Sequence, residues 1–402
     1  MLCFVFAIQS AVGQFTTIIN VPPDVAPRSV NAGTQLNVFK GGIIRASFVA
    51  AGGEVNILGG VVDIGFQANA GSIVNIADGV MRSFFDANAG SEVNISGGEV
   101  GSFFEANDGS KVNISGGRIS DFFDCNPGSK VNISGGEVGR FFDANGGSKV
   151  NISGGRIGDF FDCNPGSTVS ISGGEISDLF DVDGTLEITG GSVGGLMTIA
   201  GVANVESGAI VGISKLTGVL SVSGGSVESV SGLYRSNPRI GPFGTLNVSG
   251  GVVGSLFYVG GGTVNLAGGV IQRFPLSADF SRINVCGGNF ALDGEPIRGL
   301  DSLGQQKSVL VPFDSVLTGI LADGTPFFFH SPFYENSGLT LHRESIEPVG
   351  PPRIDISGKL LLQSAREGQT ITVDDGGKLR GSFRAGRGNH ILLTAAPLTS
   401  RR

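Results

Sequence analysis

Six carboxylates recur at one position of a repeated pattern, each two residues after a phenylalanine or leucine. They are Asp86, Glu105, Asp124, Asp143, Asp162 and Asp181. Carboxylates are hard oxygen ligands that suit calcium, the one cofactor for which the sequence offers candidates. The nine-residue calcium repeat Gly-Gly-x-Gly-x-Asp is absent. The alternative is a solvated acidic surface, countered elsewhere in the repeat by Lys111, Lys130 and Lys149.

The aromatic residues before these carboxylates form a second regular set. Strict alternation along a strand places Phe123 and Cys125 inward and exposes Phe122 together with Asp124. Exposed rings in a row predict a docking stripe for another protein, a second rod or a polymer. The alternative is a bend between Phe122 and Phe123 that buries both rings. The stripe candidates are Phe84, Phe103, Phe122, Phe141 and Phe160.

The longest interruption of the pattern, residues 232–244, is a third candidate site. It contains Tyr234, Arg235 and Arg239, which suit the binding of an acidic polysaccharide. Loops that project from a regular scaffold often carry function, and these residues could take part in abstracting a proton next to a uronate. The alternative is a coil insertion with a turn stiffened by proline and glycine.

Histidine and cysteine follow no catalytic or metal-binding motif. His330, His342 and His390 come without a Ser-His-Asp order, HExxH, P-loop or dinucleotide motif. The four cysteines form no CxxC pair, which argues against a zinc or redox site. Cys125 and Cys163 are two repeats apart, about 9.6 Å by stacking distance, so we expect free buried thiols.

The elements that position these residues follow from an internal repeat. The motif Val-Asn-Ile-Ser-Gly-Gly and its variants place an asparagine every 19 residues, at Asn37, Asn56, Asn75, Asn94, Asn113, Asn132 and Asn151. Short apolar/polar alternation between glycine and asparagine turns indicates strands. A 19-residue unit cannot bury its own apolar face, so neighbouring units must stack. The sequence therefore predicts an all-β parallel β-solenoid (β-helix) of about 14 coils, and we expect right-handed coiling because a strict hexapeptide subdivision is missing.

Composition agrees with this architecture and restricts the function. Glycine accounts for 68 of 402 residues without a Gly-X-Y period, which excludes collagen, and 40% hydrophobic residues exclude simple disorder. The net charge of −8 argues against nucleic acid as a partner. The absence of tryptophan, with 3 tyrosines against 28 phenylalanines, is unusual for a sugar-binding surface.

Stacking of coils predicts ladders of equivalent side chains. We expect Val112 and Ile114, with their equivalents, to line the interior and Asn113 to point outward. A second asparagine position, in the Asn-x-Gly-Ser turn, should form an amide ladder with the asparagine at positive φ. Its members are Asn69, Asn88, Asn107, Asn126, Asn145 and Asn164. Alternating charges at Glu99, Arg118, Glu137, Arg156 and Glu175, and at Asp121, Arg140 and Asp159, should favour correct register.

The two ends of the chain differ from the repeats. Residues 1–14 are an apolar run followed by small residues, which indicates a truncated signal peptide and secretion; an apolar first strand is the alternative. No apolar run reaches the ~20 residues that span a bilayer. Residues 15–300 are expected to form the β-helix. Residues 301–402 form an irregular, β-rich region that continues or caps it.

The Val-Asn-Ile-Ser-Gly-Gly repeats and the segment Leu317–Pro326 resemble uncharacterised secreted repeat proteins of planctomycete-like bacteria, over most of residues 30–330. At the level of fold the repeats resemble the pectate-lyase-like β-helix group; its catalytic carboxylates and arginines do not match this sequence residue by residue, so the resemblance concerns architecture only. We expect a secreted structural, adhesion or surface-binding solenoid without catalytic activity. Its partner would be an extracellular polysaccharide or another surface protein. The alternative is a polysaccharide lyase or glycoside hydrolase that acts on an acidic glycan near residues 232–244.

Overall fold

A computed structural model describes residues 15–230, 244–256, 262–273, 282–330 and 337–345, and five short strands beyond them. The predicted fold class is confirmed. The chain is an all-β parallel solenoid of about 13 turns spaced by about 19 residues, and the described residues contain no helix. The candidate signal peptide, residues 1–14, lies outside the described residues. The chain divides into two compact units, 1–264 with 270–282, and 265–269 with 283–402.

Each regular coil of the first unit contains three extended segments, illustrated by Lys111–Ile114, Arg118–Ile119 and Phe123–Cys125. The first segment alternates outward Lys111 and Asn113 with buried Val112 and Ile114. In many coils the strand continues through the Gly-Gly corner into the second segment. Each strand pairs in parallel with the equivalent strand of the next coil, as Val112 does with Val131, and the register shifts at the Gly-Gly corner, as after Ile133.

The strands of the first unit fall into these three groups. First segments, alone or continuing into later segments, are Thr17–Val21, Thr34–Val38, Glu54–Val62, Ile73–Met81, Glu92–Ile95, Lys111–Ile114, Lys130–Val138, Lys149–Ile157, Thr168–Ile176, Thr185–Ile199, Val202–Leu216, Val219–Val222 and Thr245–Leu256. Thr185–Ile199 and Val202–Leu216 continue into the third segment. Separate second segments are Ile43–Ile44, Glu99–Val100, Arg118–Ile119 and Ser226–Val230. Separate third segments are Ser29–Asn31, Val49–Ala51, Gln67–Ala68, Phe85–Ala87, Phe104–Ala106, Phe123–Cys125, Phe142–Ala144, Phe161–Cys163 and Phe180–Val182. Strand Thr263–Arg273 has its ends in the first unit and its middle in the second.

The core of the first unit consists of columns of identical or similar side chains. The valine and isoleucine columns are buried as predicted, with Val112 at 0% and Ile114 at 1% exposure. The third segments add a buried phenylalanine column, in which ring centroids from Phe85 to Phe180 are 4.4–4.9 Å apart. Next to it, Cys125 and Cys163 are buried and free, as the sequence predicts. Burial raises the pKa of the Cys125 thiol to about 11, which makes it unreactive.

The Gly-Gly corner explains much of the glycine content. At Gly135 a Cβ atom would lie 2.4 Å from the carbonyl oxygen of Ser115 in the preceding coil. Its neighbour Gly136 has φ of +79°, which a residue with a side chain rarely adopts. One glycine is therefore required by close approach of the backbones and the other by its dihedral angle.

The second unit combines antiparallel and parallel pairing. Its strands are Arg282–Leu292, Glu295–Pro296, Gln306–Val311, Val316–Leu321, Pro326–His330 and Ser337–Arg343, followed by Arg353–Ile356, Lys359–Leu360, Thr370–Val373, Lys378–Leu379 and His390–Leu393. Val316–Leu321 pairs antiparallel with both Arg282–Leu292 and Pro326–His330. The last strands pair in parallel, in the order Arg353–Ile356, Thr370–Val373, His390–Leu393.

Candidate functional site

The third segments bring the six carboxylates together in one row. In Phe123–Cys125 the phenylalanine and cysteine are buried, and Asp124 points outward and is half-buried. Asp124 pairs in register with Glu105 on one side and Asp143 on the other. We name the set Asp86, Glu105, Asp124, Asp143, Asp162 and Asp181 the acidic row. It begins after Gln67 and ends before Thr198, which is followed in register by Lys215.

Like charges at this spacing repel one another. At about 4.8 Å the repulsion between two carboxylates is about 1 kcal/mol in water and roughly 3–4 kcal/mol at an effective dielectric of 20. Burial, followed by repulsion from Asp162 and Asp124, raises the pKa of Asp143 to about 6. Burial is also the main cause of the raised pKa of Asp86, Asp124, Asp162 and Asp181. The row therefore favours a neighbouring cation or partial protonation.

The calcium candidate receives no geometric support. Within the described residues no group of three or more histidine, cysteine, aspartate or glutamate side chains is arranged to hold a metal ion. One oxygen of Asp181, Oδ1, is buried without a hydrogen-bond partner. Each coil contributes one carboxylate, and therefore two oxygens, to the row. Calcium takes six to eight oxygen ligands, which two adjacent carboxylates do not supply.

The phenylalanines two residues before the acids form a surface column. Phe84, Phe103, Phe122 and Phe160 are 53%, 44%, 41% and 38% exposed, and Phe141 is half-buried. Successive rings are nearly parallel, with centroids 4.9–5.1 Å apart. We name these five residues the phenylalanine stripe. The alternative in which both rings of each Phe-Phe pair are buried is therefore wrong.

The stripe results from a left-handed backbone corner in each coil. Phe84, Phe103, Phe122, Phe141 and Phe160 have φ of +60° to +64°. In other coils Ser47, Gly65 and Leu179 occupy this corner, with φ of +59°, +77° and +65°. The Gly65 and Phe84 corners bond alike, since the Gly65 N–H donates to the Ser83 carbonyl and the Phe84 N–H donates to the Ser102 carbonyl. The bend between the two phenylalanines therefore turns the first ring outward.

One cation of the chain itself, Arg140, approaches this surface. The guanidinium carbon of Arg140 lies 5.7 Å from the centroid of the Phe141 ring, within cation–π range. Arg140 also forms an ion pair of 3.2 Å with Asp121, and its backbone N–H donates to the same carboxylate, which lowers the pKa of Asp121. This confirms contact within the predicted Asp121–Arg140 pair. The stripe thus already accepts one cation from its own chain.

The other charged columns are in register but less closely paired. Arg118 pairs with Glu99 and Glu137 on adjacent strands, as predicted, yet no ion pair within 4 Å joins them in the described residues. Lys111, Lys130 and Lys149 follow one another in register and are exposed. Lys111 forms an ion pair of 2.9 Å with Glu92. In the part of the chain that the structure describes, Lys130 and Lys149 form none.

Asparagine forms two amide ladders, one of which sequence reasoning missed. The predicted ladder of the Asn-x-Gly-Ser turn has Nδ2 to Oδ1 distances of 2.8–3.2 Å. Its asparagines do not have positive φ; the glycine two residues later does, as at Gly109. The second ladder runs along the first segments from Asn20 to Asn151, with distances of 2.8–2.9 Å. The 19-residue recurrence of Asn in Val-Asn-Ile was the signal that could have predicted it.

The remaining sequence candidates form no site in the described structure. Tyr234, Arg235 and Arg239 lie outside the described residues. His330 Nε2 lies 3.1 Å from Asp314 Oδ1 in an exposed pair. A cavity of about 410 Å³ in the second unit has Asp301 and Arg343 as its charged lining residues.

Comparison with known proteins assigns no family. No protein-family model, no curated protein and no solved structure matches this chain. Among the described residues, no helix is long and apolar enough to cross a membrane.

Proposed function

We propose that this chain is a secreted, non-enzymatic structural and adhesion solenoid. Its phenylalanine stripe and acidic row form the contact surface for another surface protein, one that presents cationic side chains. The observation that carries the proposal is the recurrence of an exposed ring at a left-handed corner where Gly65 occupies the same position without strain.

The energetics of this corner favour a surface role for the rings. A left-handed residue with a Cβ costs about 1–2 kcal/mol relative to a right-handed one. Stacking stabilises each pair of neighbouring rings by about 0.5–1.5 kcal/mol, which is no more than the backbone strain of the left-handed residue. The inner column, with Phe123 at 0% exposure, already supplies the aromatic core. The outer rings therefore add little to folding, whereas a contiguous apolar stripe is typical of a binding surface.

The acidic row determines the charge of the partner. Each carboxylate is half-buried and lies beside others of the same charge, so an incoming cation relieves repulsion that the isolated solenoid cannot avoid. Aromatic rings beside carboxylates suit lysine or arginine, because the rings contact the alkyl stem or the cation and the carboxylates pair with the charge. A polyanionic glycan would be repelled by the same row.

Surface plasmon resonance with immobilised poly-L-lysine tests the proposal, with dextran and polygalacturonate as comparison polymers. We expect the wild type to bind poly-L-lysine in a salt-sensitive manner and to bind neither dextran nor polygalacturonate. The variants Phe122→Gly/Phe141→Gly and Asp124→Asn/Asp143→Asn should each weaken it about tenfold or more. The control Phe39→Ala removes a phenylalanine that is 41% exposed outside the stripe, and should bind like the wild type.

Other outcomes would contradict the proposal. Binding to poly-L-lysine that both double variants retain would assign the interaction to net charge rather than to this surface. Binding to polygalacturonate with release of unsaturated oligosaccharides would instead support a polysaccharide lyase.

A further inference from the structure

We infer that the partner of the phenylalanine stripe and acidic row is a second copy of this chain, which docks its own lysine row onto them. The lysine row is Lys111, Lys130 and Lys149. This inference rests on the proposed function and names the partner of the same surface.

The spacing of the stripe selects a partner of the same architecture. Its rings repeat every 4.9–5.1 Å, because they lie on successive paired strands. An extended peptide along the stripe presents side chains on one face about every 6.8 Å, and a helix about every 5.4 Å. Over five coils a helix drifts out of register by about 2 Å and a strand by far more. A side-chain column of a parallel solenoid keeps the spacing, since the same strand separation of about 4.8 Å generates it.

The lysine row has the matching chemistry as well as the matching spacing. Lys111, Lys130 and Lys149 occupy consecutive coils on the first segments, and all three are exposed. A lysine stem can lie across a phenylalanine ring while its ammonium group reaches the adjacent carboxylate. Within one copy, positive charges are adjacent along the lysine row and negative charges are adjacent along the acidic row. Docking the lysine row of one copy on the acidic row of another places each positive charge beside a negative charge.

The two surfaces occupy different segments of the coil, so the contact is heterologous. The lysine row lies on the first segments, whereas the acidic row lies on the third segments. One copy can use its lysine row on one neighbour and its acidic row on another. Such contacts extend to chains of molecules unless the rotation between copies closes a ring.

Sedimentation velocity on the full chain tests this inference, with two variants that each disable one surface. Lys130→Glu/Lys149→Glu inverts the lysine row and leaves the acidic row intact. Asp124→Asn/Asp143→Asn removes charge from the acidic row and leaves the lysine row intact. Circular dichroism melting curves establish that both variants fold.

We expect the wild type to associate with increasing concentration at low salt and to dissociate in about 1 M salt, where screening acts within about 3 Å. Each variant alone should remain a monomer. An equimolar mixture of the two should form dimers and stop there, because it contains only one compatible pair of surfaces. Arg28→Ala is the control, because it removes an exposed cation outside the lysine row, and should associate like the wild type.

A wild type that stays monomeric at low salt, a lysine variant that assembles like the wild type, or a mixture that forms assemblies as long as wild-type ones would each overturn the inference. Retained binding to poly-L-lysine by a strictly monomeric wild type would reject self-association and leave the proposed function standing. A wild type that binds neither poly-L-lysine nor a second copy of the chain would reject the proposed function itself.

Discussion

Phe122 and Phe123 are neighbours in the chain, yet the Phe122 side chain is 41% exposed and Phe123 is fully buried at 0%. The left-handed backbone of Phe122, with φ of +64°, separates their directions. One residue therefore contributes to the core and the other to the surface, within a single dipeptide that recurs in five coils.

This difference predicts unequal costs of truncation. Phe123→Ala should lower the free energy of unfolding by about 3–5 kcal/mol, because it leaves a cavity between the rings of adjacent coils. Phe122→Ala should cost about 1 kcal/mol or less. Chemical denaturation followed by circular dichroism measures both. Equal losses would contradict the surface assignment of Phe122.

The same corner predicts an unusual preference for glycine. Phe122→Gly should be more stable than Phe122→Ala by about 1 kcal/mol, because only glycine adopts positive φ without steric cost. At Phe123, which has no positive φ, the order should be reversed. Melting temperatures of the four variants provide the comparison, and alanine ahead of glycine at position 122 would argue against the left-handed corner.

The acidic row predicts stability that falls as pH rises. The folded state holds the proton of Asp143 more tightly than the unfolded chain, because burial and neighbouring carboxylates raise its pKa from 3.8 to about 6. The free energy of unfolding therefore falls as the pH rises from about 4 to about 6. This loss of stability is complete above the pKa of the folded state.

Asp143→Asn removes this loss. The side chain is only half-buried, so we expect the free energy of unfolding to rise by at most about 1 kcal/mol, or about 1–2 °C in melting temperature for a chain of this length, above pH 7. Below about pH 3.5 the variant and the wild type should melt together. Asp108→Asn, which removes an exposed carboxylate outside the acidic row, serves as the control and should bring no comparable gain. A gain of equal size at low pH would exclude the ionisation mechanism.

The amide ladder of the first segments predicts a stabilising substitution. The ladder ends at Asn151, where the next coil has Ser170 in register. Ser170→Asn would let its Nδ2 donate to the free lone pairs of Asn151 Oδ1, as every earlier step does. We expect the free energy of unfolding, measured by calorimetry, to rise by about 1 kcal/mol. Ser170→Ala, which adds no donor, is the matched control and should bring no gain.

The Gly-Gly corner predicts where glycine is indispensable. Gly135→Ala would place a Cβ 2.4 Å from the Ser115 carbonyl oxygen, so the backbones of two coils must separate. We expect a loss of about 2 kcal/mol or more. At Gly195 the nearest atom to a Cβ is Asp178 Oδ1 at 3.5 Å, and φ is not positive. Gly195→Ala should therefore be tolerated, and comparable losses in the two variants would contradict the difference in packing.

Sequence periodicity was sufficient for the fold because equivalent residues of stacked coils must meet. The spacing of Val112 and Val131 predicted their burial and their pairing in one step. The same argument predicted contact of Arg140 with Asp121. Alternation alone, however, left two outcomes for Phe122, since the choice depends on a backbone dihedral angle that hydrophobic pattern does not encode. Gly65 at the equivalent corner was the available clue, because glycine commonly marks positive φ.

Two properties of the site lay beyond the sequence for a physical reason. Partial burial of Asp143 depends on how far neighbouring coils enclose its carboxylate, and only coordinates provide that quantity. The lack of an ion pair between Arg118 and Glu99 depends on rotamers rather than on register. Strand pairing follows from backbone geometry, whereas long exposed side chains retain several conformations.

The alternation of glutamate and arginine along the second segments restricts how such a gene can lengthen. Residues 115–128 and 153–166 differ only at Ser120 and Gly158, so the sequence repeats most closely over two coils, the 38 residues between Arg118 and Arg156. Duplication of a single coil would place two arginines or two glutamates on adjacent strands. Duplication of a coil pair preserves every opposite-charge neighbour and adds two rings and two carboxylates. A solenoid that lengthens by two coils at a time therefore keeps opposite charges on adjacent strands.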